Sequence, residues 1–209
     1  MSIHNKQINF WTGHAGNQYI KRNQSSDENQ KNRISFWKNI LSRVALSNNS
    51  KILEVGANIG LNLKAIKSIK QFDLYAIEPN SNACQEIIKN NILDKEHLLH
   101  DVANEIGFSN NKFDIVFTCG VLIHIHPENL LDAMKEIYRV SKKYIVCAEY
   151  FSDKDEEINY HGEDGLLFKK DFGSFYLDNF PNLKLIDYGF SWKRVTGMDN
   201  LTWWIFEIN

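Results

Sequence analysis

The 209-residue chain has the length of one ordinary domain, and its 43% hydrophobic and 24% charged residues are typical of folded globular proteins. Its 24 Lys and Arg residues are balanced by 26 Asp and Glu residues, which argues against the net positive field that sequence-independent nucleic-acid binding requires. No run approaches the roughly 18 apolar residues that span a bilayer, no signal peptide is evident, and the three cysteines are widely separated. We therefore expect a cytoplasmic protein without a nucleic-acid or membrane partner.

The first predicted elements are a polar amino-terminal segment and one amphipathic helix. Residues 1–26 are polar with isolated aromatic residues, and apolar residues then recur every three or four positions from Asp27 to about Ser47. Short apolar runs and helical patterns alternate after that point. They predict strand 51–55, helix 57–70, strand 73–78, helix 80–91, a weak strand 97–101, strand 113–119, helix 128–140 and a strand from Lys142. This alternation predicts a parallel sheet covered by helices on both faces.

The sequence of the carboxyl-terminal part indicates an antiparallel strand pair, in contrast to the parallel strands before it. A helix over 167–179 is followed by two strand-like runs, LKLIDYGFSW and TWWIFEI, with nine residues between them. A parallel crossover needs a dozen or more residues, so an antiparallel hairpin is favoured. We expect a single domain over residues 1–209, with a helical cap at 1–48 and a Rossmann-like α/β core at 50–209.

The first strand-to-helix turn is where such sheets bind ligands, and it has the sequence EVGANIG from Glu54 to Gly60. Gly56 allows a tight turn, and Gly60 allows the next helix to approach closely. A dinucleotide site needs a further glycine where this chain has Asn58, whereas S-adenosylmethionine (SAM) has no phosphate and tolerates the Glu54 carboxylate. This pattern favours SAM over NAD.

Later strand ends supply further candidate ligand contacts. Glu78 follows the second strand and can accept hydrogen bonds from ribose hydroxyls, which both cofactors have. Asp101 could accept from the adenine amino group and Val102 could donate its backbone N–H. The fourth strand ends in Cys119, Gly120 and Val121, which would border the ligand sulfur. These candidates, completed by Pro79 and Asn80 after Glu78, form the predicted core of the cofactor site.

Candidate catalytic residues follow the fourth and fifth strands. His124 and His126 form an H-x-H pair that could hold a metal, but no third ligand is apparent and we predict no metal site. We expect His124 to act as general base, and the second histidine to cap a helix, pack or contact the substrate. Glu149 and Tyr150 end the fifth strand; Glu149 would need a buried partner, either the substrate or a structural Lys or Arg.

The glycine turn, Glu78, the FDIVFTCG strand and the terminal strand pair together resemble the class I SAM-dependent methyltransferase fold. That resemblance implies a seven-stranded, mostly parallel sheet of order 3-2-1-4-5-7-6 with the last strand antiparallel. The stretches FWTGHAGNQYIKRN, ILEVGANIGLN, GVLIHIHPENL, AEYF, LFKKDF, DYGF and TWWIFE are similar to the pseudaminic acid biosynthesis-associated methylases. This likeness implies a sugar or sugar-nucleotide acceptor and S-adenosylhomocysteine (SAH) as coproduct.

The same resemblance places the amino-terminal segment over the SAM methionine tail. It highlights Trp11, Tyr19, Arg22 and Asn23, with Arg22 pairing with the carboxylate. The chain has His161 where the family resemblance leads us to expect Arg, and we favour a variable surface loop at 160–165. The predicted acceptor site is completed by residues that are mostly aromatic: Trp11, His124, Glu149, Tyr150, His126, Tyr160, His161, Trp192 and Trp203.

We expect in-line methyl transfer to O or N of a small molecule by a monomer or homodimer. The alternatives are a methyltransferase acting on another metabolite or natural product, a nicotinamide-dependent sugar enzyme, a non-catalytic SAM-binding partner protein, and methylation of protein or RNA. Asn58 argues against the nicotinamide enzyme, and the balanced charge argues against RNA. We also predict that the amino-terminal segment orders on SAM binding.

Overall fold

The computed structural model describes residues 3–23 and 26–209, and it contains a seven-stranded sheet between two layers of helices. The helices are α1 (Ile3–Thr12), α2 (His14–Arg22), α3 (Asp27–Leu41), α4 (Leu61–Lys67), α5 (Ser81–Lys89), α6 (Pro127–Val140), α7 (Phe172–Asn179) and α8 (Lys193–Thr196). The strands are β1 (Lys51–Val55), β2 (Asp73–Ile77), β3 (Leu98–Leu99), β4 (Phe113–Cys119), β5 (Ser141–Glu149), β6 (Glu156–Tyr160), β7 (Glu163–Lys169), β8 (Leu183–Ser191) and β9 (Leu201–Ile208). Two 3₁₀ turns cover Lys95–His97 and Leu122–His124.

The main sheet has the order β3-β2-β1-β4-β5-β9-β8, and β6 pairs with β7 in a separate hairpin. Strands β1 to β5 are parallel, whereas β9 is antiparallel to both β5 and β8. The predicted strand order 3-2-1-4-5-7-6 is confirmed, because the prediction did not count β6 and β7, and its strands 6 and 7 are therefore β8 and β9. The predicted antiparallel pairing of the last two strands is also confirmed.

Side chains alternate between two hydrophobic cores, one on each face of the sheet. In β1, Ile52 belongs to the core under α3 and α4, and Leu53 belongs to the core under α6 and α7. Trp37 of α3 is fully buried and packs on Phe117 of β4, with ring centroids 4.3 Å apart. The helix α3 is therefore fixed to the sheet beside the carboxyl end of β1. Within the part of the chain that the structure describes, no helix has the length and apolar character of a membrane span.

Three sequence predictions of local structure are corrected. The helix predicted over 167–179 is wrong in its first part, because β7 continues to Lys169 and α7 begins only at Phe172, where the side chain of Asp171 caps it. The helix from Asp27 ends at Leu41 rather than near Ser47. The predicted surface loop at 160–165 is exposed but shorter, because β6 ends at Tyr160 and β7 begins at Glu163; His161 and Gly162 form the turn, with φ of 55° and 86°.

Candidate functional site

The main cavity has a volume of about 620 Å³ and lies at the carboxyl ends of β1, β2 and β4, beneath α1 and α2. Its lining includes the predicted residues Trp11, Tyr19, Asn23, Glu54, Gly56, Asn58, Glu78, Pro79, Asp101, Val102, Cys119, Gly120, Val121, His124, His126, Tyr150 and Tyr160. The lining does not include Arg22, Gly60, Asn80, Glu149, His161, Trp192 or Trp203.

The turn after β1 leaves backbone directly against the cavity. A Cβ on Gly56 would lie 2.8 Å from Val121 Cγ2, and its φ of 73° is one that glycine adopts without strain. Asn58 has φ of 47°, a left-handed conformation that asparagine tolerates better than most residues. Gly60 caps α4 with φ of 75°, and its missing Cβ lets Ile87 pack close by. The close neighbour of Gly60 thus belongs to α5, whereas the sequence led us to expect a close approach of the following helix, α4.

A buried chain of polar side chains joins Glu54 to Arg33 through Asn62. Asn62 Nδ2 donates to Glu54 Oε1 at 2.8 Å, and Arg33 donates from a guanidinium nitrogen to Asn62 Oδ1 at 2.8 Å. Burial raises the pKa of Glu54 to about 8. Among the described residues, Glu54 Oε2 and Arg33 Nε are buried without a hydrogen-bond partner. This wall of the cavity therefore holds an unpaired acceptor and an unpaired cationic donor.

Arg33 and Asn62 were missed in the sequence, although one signal was present. Arg33 lies one helical turn before Trp37, whose large apolar side chain marks the face of α3 that points to the core. An arginine on that face is costly to bury without a function or a partner. Arg22, which was predicted to hold the carboxylate of SAM, is instead exposed on α2 and lies over the ring of Tyr19.

Glu78 is buried between two turns of backbone. Its Oε2 accepts from the backbone N–H of Asn58 at 2.6 Å and its Oε1 accepts from that of Asn80 at 2.8 Å. Burial raises the pKa of Glu78 to about 7. Asp101 accepts from Gly107 N at 2.9 Å at a further part of the lining. Each carboxylate oxygen has a second lone pair, so these bonds leave acceptor capacity toward the cavity.

His124 is oriented by the β6–β7 hairpin. Its Nδ1 lies 2.8 Å from the carbonyl oxygen of Leu166, and because a carbonyl only accepts, Nδ1 carries the proton. Burial lowers the pKa of His124 to about 4, so the ring is neutral near pH 7 with Nε2 as an acceptor. Trp11 and Tyr160 contact this ring, with centroids 4.5 and 5.1 Å away. His126 caps α6 by accepting from Glu128 N, as the capping alternative predicted.

Glu149 has backbone partners in the structure, where the sequence led us to expect the substrate or a structural Lys or Arg. The residue is fully buried, and its carboxylate accepts from the backbone N–H groups of Val121 and Ile123 at 3.2 and 3.4 Å. Burial raises the pKa of Glu149 to about 7. Glu149 therefore positions the segment that carries His124 and does not itself reach the cavity. Tyr150 donates its hydroxyl to Asp199, and burial raises its pKa further from neutrality.

Three aromatic or histidine residues predicted for the acceptor site lie elsewhere. Trp203 is 5% exposed, packs in the core and lies beneath the guanidinium of Arg43. Trp192 is half-exposed before α8, and His161 is exposed at the hairpin tip against Tyr160. The sequence identified the right elements here but not the direction of each side chain.

The cap is attached to the core through Asn80. Its Nδ2 donates to the backbone carbonyl of Trp11 at 2.7 Å and to Asn17 Oδ1 at 3.1 Å, while its Oδ1 caps α5. Asn80 therefore serves the cavity by holding the cap rather than by lining it. Among the residues described, no group of three or more His, Cys, Asp or Glu side chains is placed to hold a metal ion.

The sheet order and a cavity at the carboxyl ends of β1, β2 and β4 define the class I methyltransferase fold, with its Rossmann-like core. Residues 53–146 match the family model described as a methyltransferase domain. That match and the fold support a methyltransferase with SAM as its cofactor. A comparison with curated protein sequences gives no match.

Solved structures with the same fold come from several organisms. Magnesium protoporphyrin IX methyltransferase from Synechocystis PCC 6803, with bound SAM, has a TM-score of 0.71 at 10% identity, over 100% of this chain and 98% of that chain. The 1,6-didemethyltoxoflavin-N1-methyltransferase from Burkholderia thailandensis, with its substrate and SAH bound, has a TM-score of 0.69 at 12% identity, over 98% and 87%. A SAM-dependent methyltransferase from Aquifex aeolicus has a TM-score of 0.67 at 15% identity, over 92% and 98%.

Proposed function

We propose that this chain binds SAM in the main cavity and transfers its methyl group to an oxygen or nitrogen atom of a small molecule. The observation that carries the proposal is the pair of unpaired buried atoms, Glu54 Oε2 and Arg33 Nε, on either side of Asn62. An amino acid group supplies what both atoms lack, because its ammonium donates to a carboxylate and its carboxylate accepts from a guanidinium. The methionine part of SAM has this group.

The remaining lining residues fit the other parts of the same ligand. Glu78 has acceptor capacity for the ribose hydroxyls, and we assign contact with the adenine to Asp101 and Val102, which also line the cavity. Gly120 lines the cavity and has no atom within 4 Å of the place where a Cβ would lie, which leaves room for the sulfonium region. A dinucleotide fits less well, because Asn58 stands where close approach to a pyrophosphate needs glycine.

When bound, SAM supplies an electrophilic methyl group on its sulfonium sulfur. The chain would contribute mainly position, by holding the acceptor atom about 3 to 3.5 Å from that carbon. His124 Nε2 is the candidate base, since the Leu166 carbonyl holds the other nitrogen in its protonated form. It would accept the proton of an acceptor hydroxyl as the new bond to carbon forms. Trp11 and Tyr160 would exclude water from this step.

For the acceptor, we infer a sugar or sugar-nucleotide of the nonulosonic (pseudaminic) acid or surface glycan pathway. The support is the sequence resemblance described above, because the structural neighbours act on substrates as different as a porphyrin and toxoflavin. A small-molecule acceptor fits the enclosed cavity, of about 620 Å³.

Calorimetric titration with SAM, SAH and NADH tests the cofactor assignment. We expect micromolar binding of SAM and SAH and no heat from NADH, and we expect Glu54→Gln to weaken SAH binding about tenfold. Binding of NADH alone would overturn the proposal. Release of SAH in the presence of amino sugars and sugar-nucleotides then tests the acceptor class, and turnover confined to acceptors without a sugar would refute that part.

A further inference from the structure

Two residues of α1 that line the main cavity, Gln7 and Trp11, each have a buried polar atom without a hydrogen-bond partner among the described residues. Gln7 is 7% exposed, and its Nε2 donates to the carbonyl of Gly165 in the hairpin at 2.7 Å. This bond fixes the amide orientation, because a carbonyl accepts only from the NH₂ group. It leaves Gln7 Oε1 unpaired, and Trp11 Nε1 is likewise buried and unpaired in the part of the chain that the structure describes. Both residues line the cavity.

These two atoms belong to one small surface. Gln7 and Trp11 are four residues apart in α1, so they lie on the same face of the helix. One is an acceptor and the other is a donor, and both have lost their contact with water. Unpaired buried polar groups are unfavourable and persist where a ligand supplies the missing bond. A ligand group that both donates and accepts is therefore expected at this face.

The surroundings of this pair are aromatic and come from other elements than the Glu54–Arg33 wall. Trp11, Tyr160 and His124 form three mutually contacting rings, with Trp11 and Tyr160 centroids 6.2 Å apart. The contributing elements are α1, the β6–β7 hairpin and the 3₁₀ turn after β4, whereas the first wall comes from α3, β1 and α4. The neutral Nε2 of His124 adds one more acceptor here.

We propose that Gln7 and Trp11 bind a hydroxyl group of the methyl acceptor, and that the acceptor is a hydroxylated ring. A hydroxyl donates to Gln7 Oε1 and accepts from Trp11 Nε1, whereas a carboxylate would leave Gln7 unpaired and an ammonium would leave Trp11 unpaired. The apolar faces of a hydroxylated ring pack against the aromatic rings of Trp11 and Tyr160. This assignment rests on the proposed function, because it describes the acceptor side of the same cavity.

The experiment uses full-length protein saturated with SAH and two probes, methyl glucoside and N-acetylglucosamine. The five tryptophans give five indole N–H signals in a ¹⁵N spectrum, and the variant Trp11→Phe identifies that of Trp11. We expect the Trp11 signal to shift saturably with a probe. We expect Gln7→Leu and Trp11→Phe to weaken probe binding roughly fivefold each, because each loses one hydrogen bond. The control Gln18→Leu, at an exposed residue of α2, should leave probe binding unchanged.

SAH titration of every variant separates the two levels of the proposal. If wild-type protein fails to bind SAH, the proposed function and this inference both fail. If all variants bind SAH normally but neither probe shifts the Trp11 signal, only this inference fails. It also fails if the probes bind Gln7→Leu and Trp11→Phe as tightly as wild type. A Gln7→Leu variant with impaired folding would be detected by its weakened SAH binding, and Trp11→Phe then decides the result.

Discussion

At the residue scale, Arg33 and Arg22 are the two candidates to bind the methionine carboxylate of SAM, and they differ in position. Arg33 contacts Asn62 inside the cavity, whereas Arg22 is exposed on the outer surface of the cap. We predict that Arg33→Gln weakens SAH binding by about tenfold to a hundredfold, the usual cost of a lost charged hydrogen bond. We predict that Arg22→Gln has little effect. Calorimetry with SAH on both variants measures this, and the reverse ranking would support Arg22 as the carboxylate ligand.

His124 gives a second prediction at this scale. A base with a pKa of about 4 is already unprotonated at pH 6, so kcat/KM should not decline between about pH 8 and about pH 6 on account of this residue. His124→Asn keeps an N–H donor for the Leu166 carbonyl but removes Nε2, and we expect kcat to fall roughly 100-fold. SAH affinity should be unchanged. A decline in rate with an apparent pKa near 6.5 that disappears in His124→Asn would contradict the buried, neutral state.

A larger share of the predicted cofactor residues than of the predicted acceptor residues lines the cavity, for a physical reason. Glu54, Glu78 and Asp101 follow strands directly, and the carboxyl ends of parallel strands meet at one edge whatever the loops do. Trp203 also lies in a predicted strand, but the direction of its side chain depends on the register of that strand and on what packs against each face of the sheet. Arg33 required knowledge that α3 packs beside β1, which no local pattern contains.

At the element scale, the cap depends on a few polar contacts with the core. Asn80 Nδ2 holds the Trp11 carbonyl and Asn17, while its Oδ1 caps α5. Asn80→Ser keeps an acceptor for the helix cap and loses both donated bonds. We predict faster trypsin cleavage at Lys21 and Arg22, weaker SAH binding and little change in the global stability of the core.

Two further measurements complete the test of Asn80: cleavage of a matched control variant, and cleavage in the presence of SAH. The side chain of Asn82 makes one exposed hydrogen bond to Asn17, so trypsin should cleave the Asn82→Ser variant at nearly the wild-type rate. SAH should slow cleavage of the wild-type cap, as expected for a segment that orders over its ligand. Equal cleavage rates with and without SAH would count against that ordering. Equal rates in Asn80→Ser and wild type would show that Asn80 does not hold the cap.

The elements themselves were predictable where the hydrophobic period was clear. The βα alternation and the antiparallel end of the sheet followed from run lengths and loop lengths. The β6–β7 hairpin was missed because its strands alternate weakly and its turn uses His161 with Gly162 rather than the usual asparagine and glycine. The apolar run Leu166, Leu167 and Phe168 was assigned to a helix, since short apolar runs fit either element.

At the scale of the whole molecule, the ligand site is maintained at a cost in stability. Three carboxyl groups, those of Glu54, Glu78 and Glu149, are buried at the carboxyl ends of the parallel strands β1, β2 and β5. Each has a raised pKa, about 8 for Glu54 and about 7 for the other two. Folding therefore favours the protonated forms of these carboxyl groups, whereas in an unfolded chain their pKa is about 4.3. Backbone N–H groups donate to Glu78 and Glu149, whereas Glu54 Oε2 has no hydrogen-bond partner among the described residues.

This arrangement predicts how the stability of the ligand-free protein varies with pH. Between about pH 4.5 and about pH 8 the folded state binds more protons at these groups than the unfolded state, so their contribution to the free energy of unfolding falls as pH rises. Glu54→Gln cannot ionise and keeps an acceptor for Asn62, so its advantage over wild type should grow across this range to about 5 kcal/mol above pH 8. Urea unfolding of both proteins at several pH values measures this, with the exposed Glu96→Gln as control. A Glu54→Gln protein less stable than wild type at high pH would mean that the Glu54 carboxylate is stabilised within the fold, and that no ligand group is needed beside it.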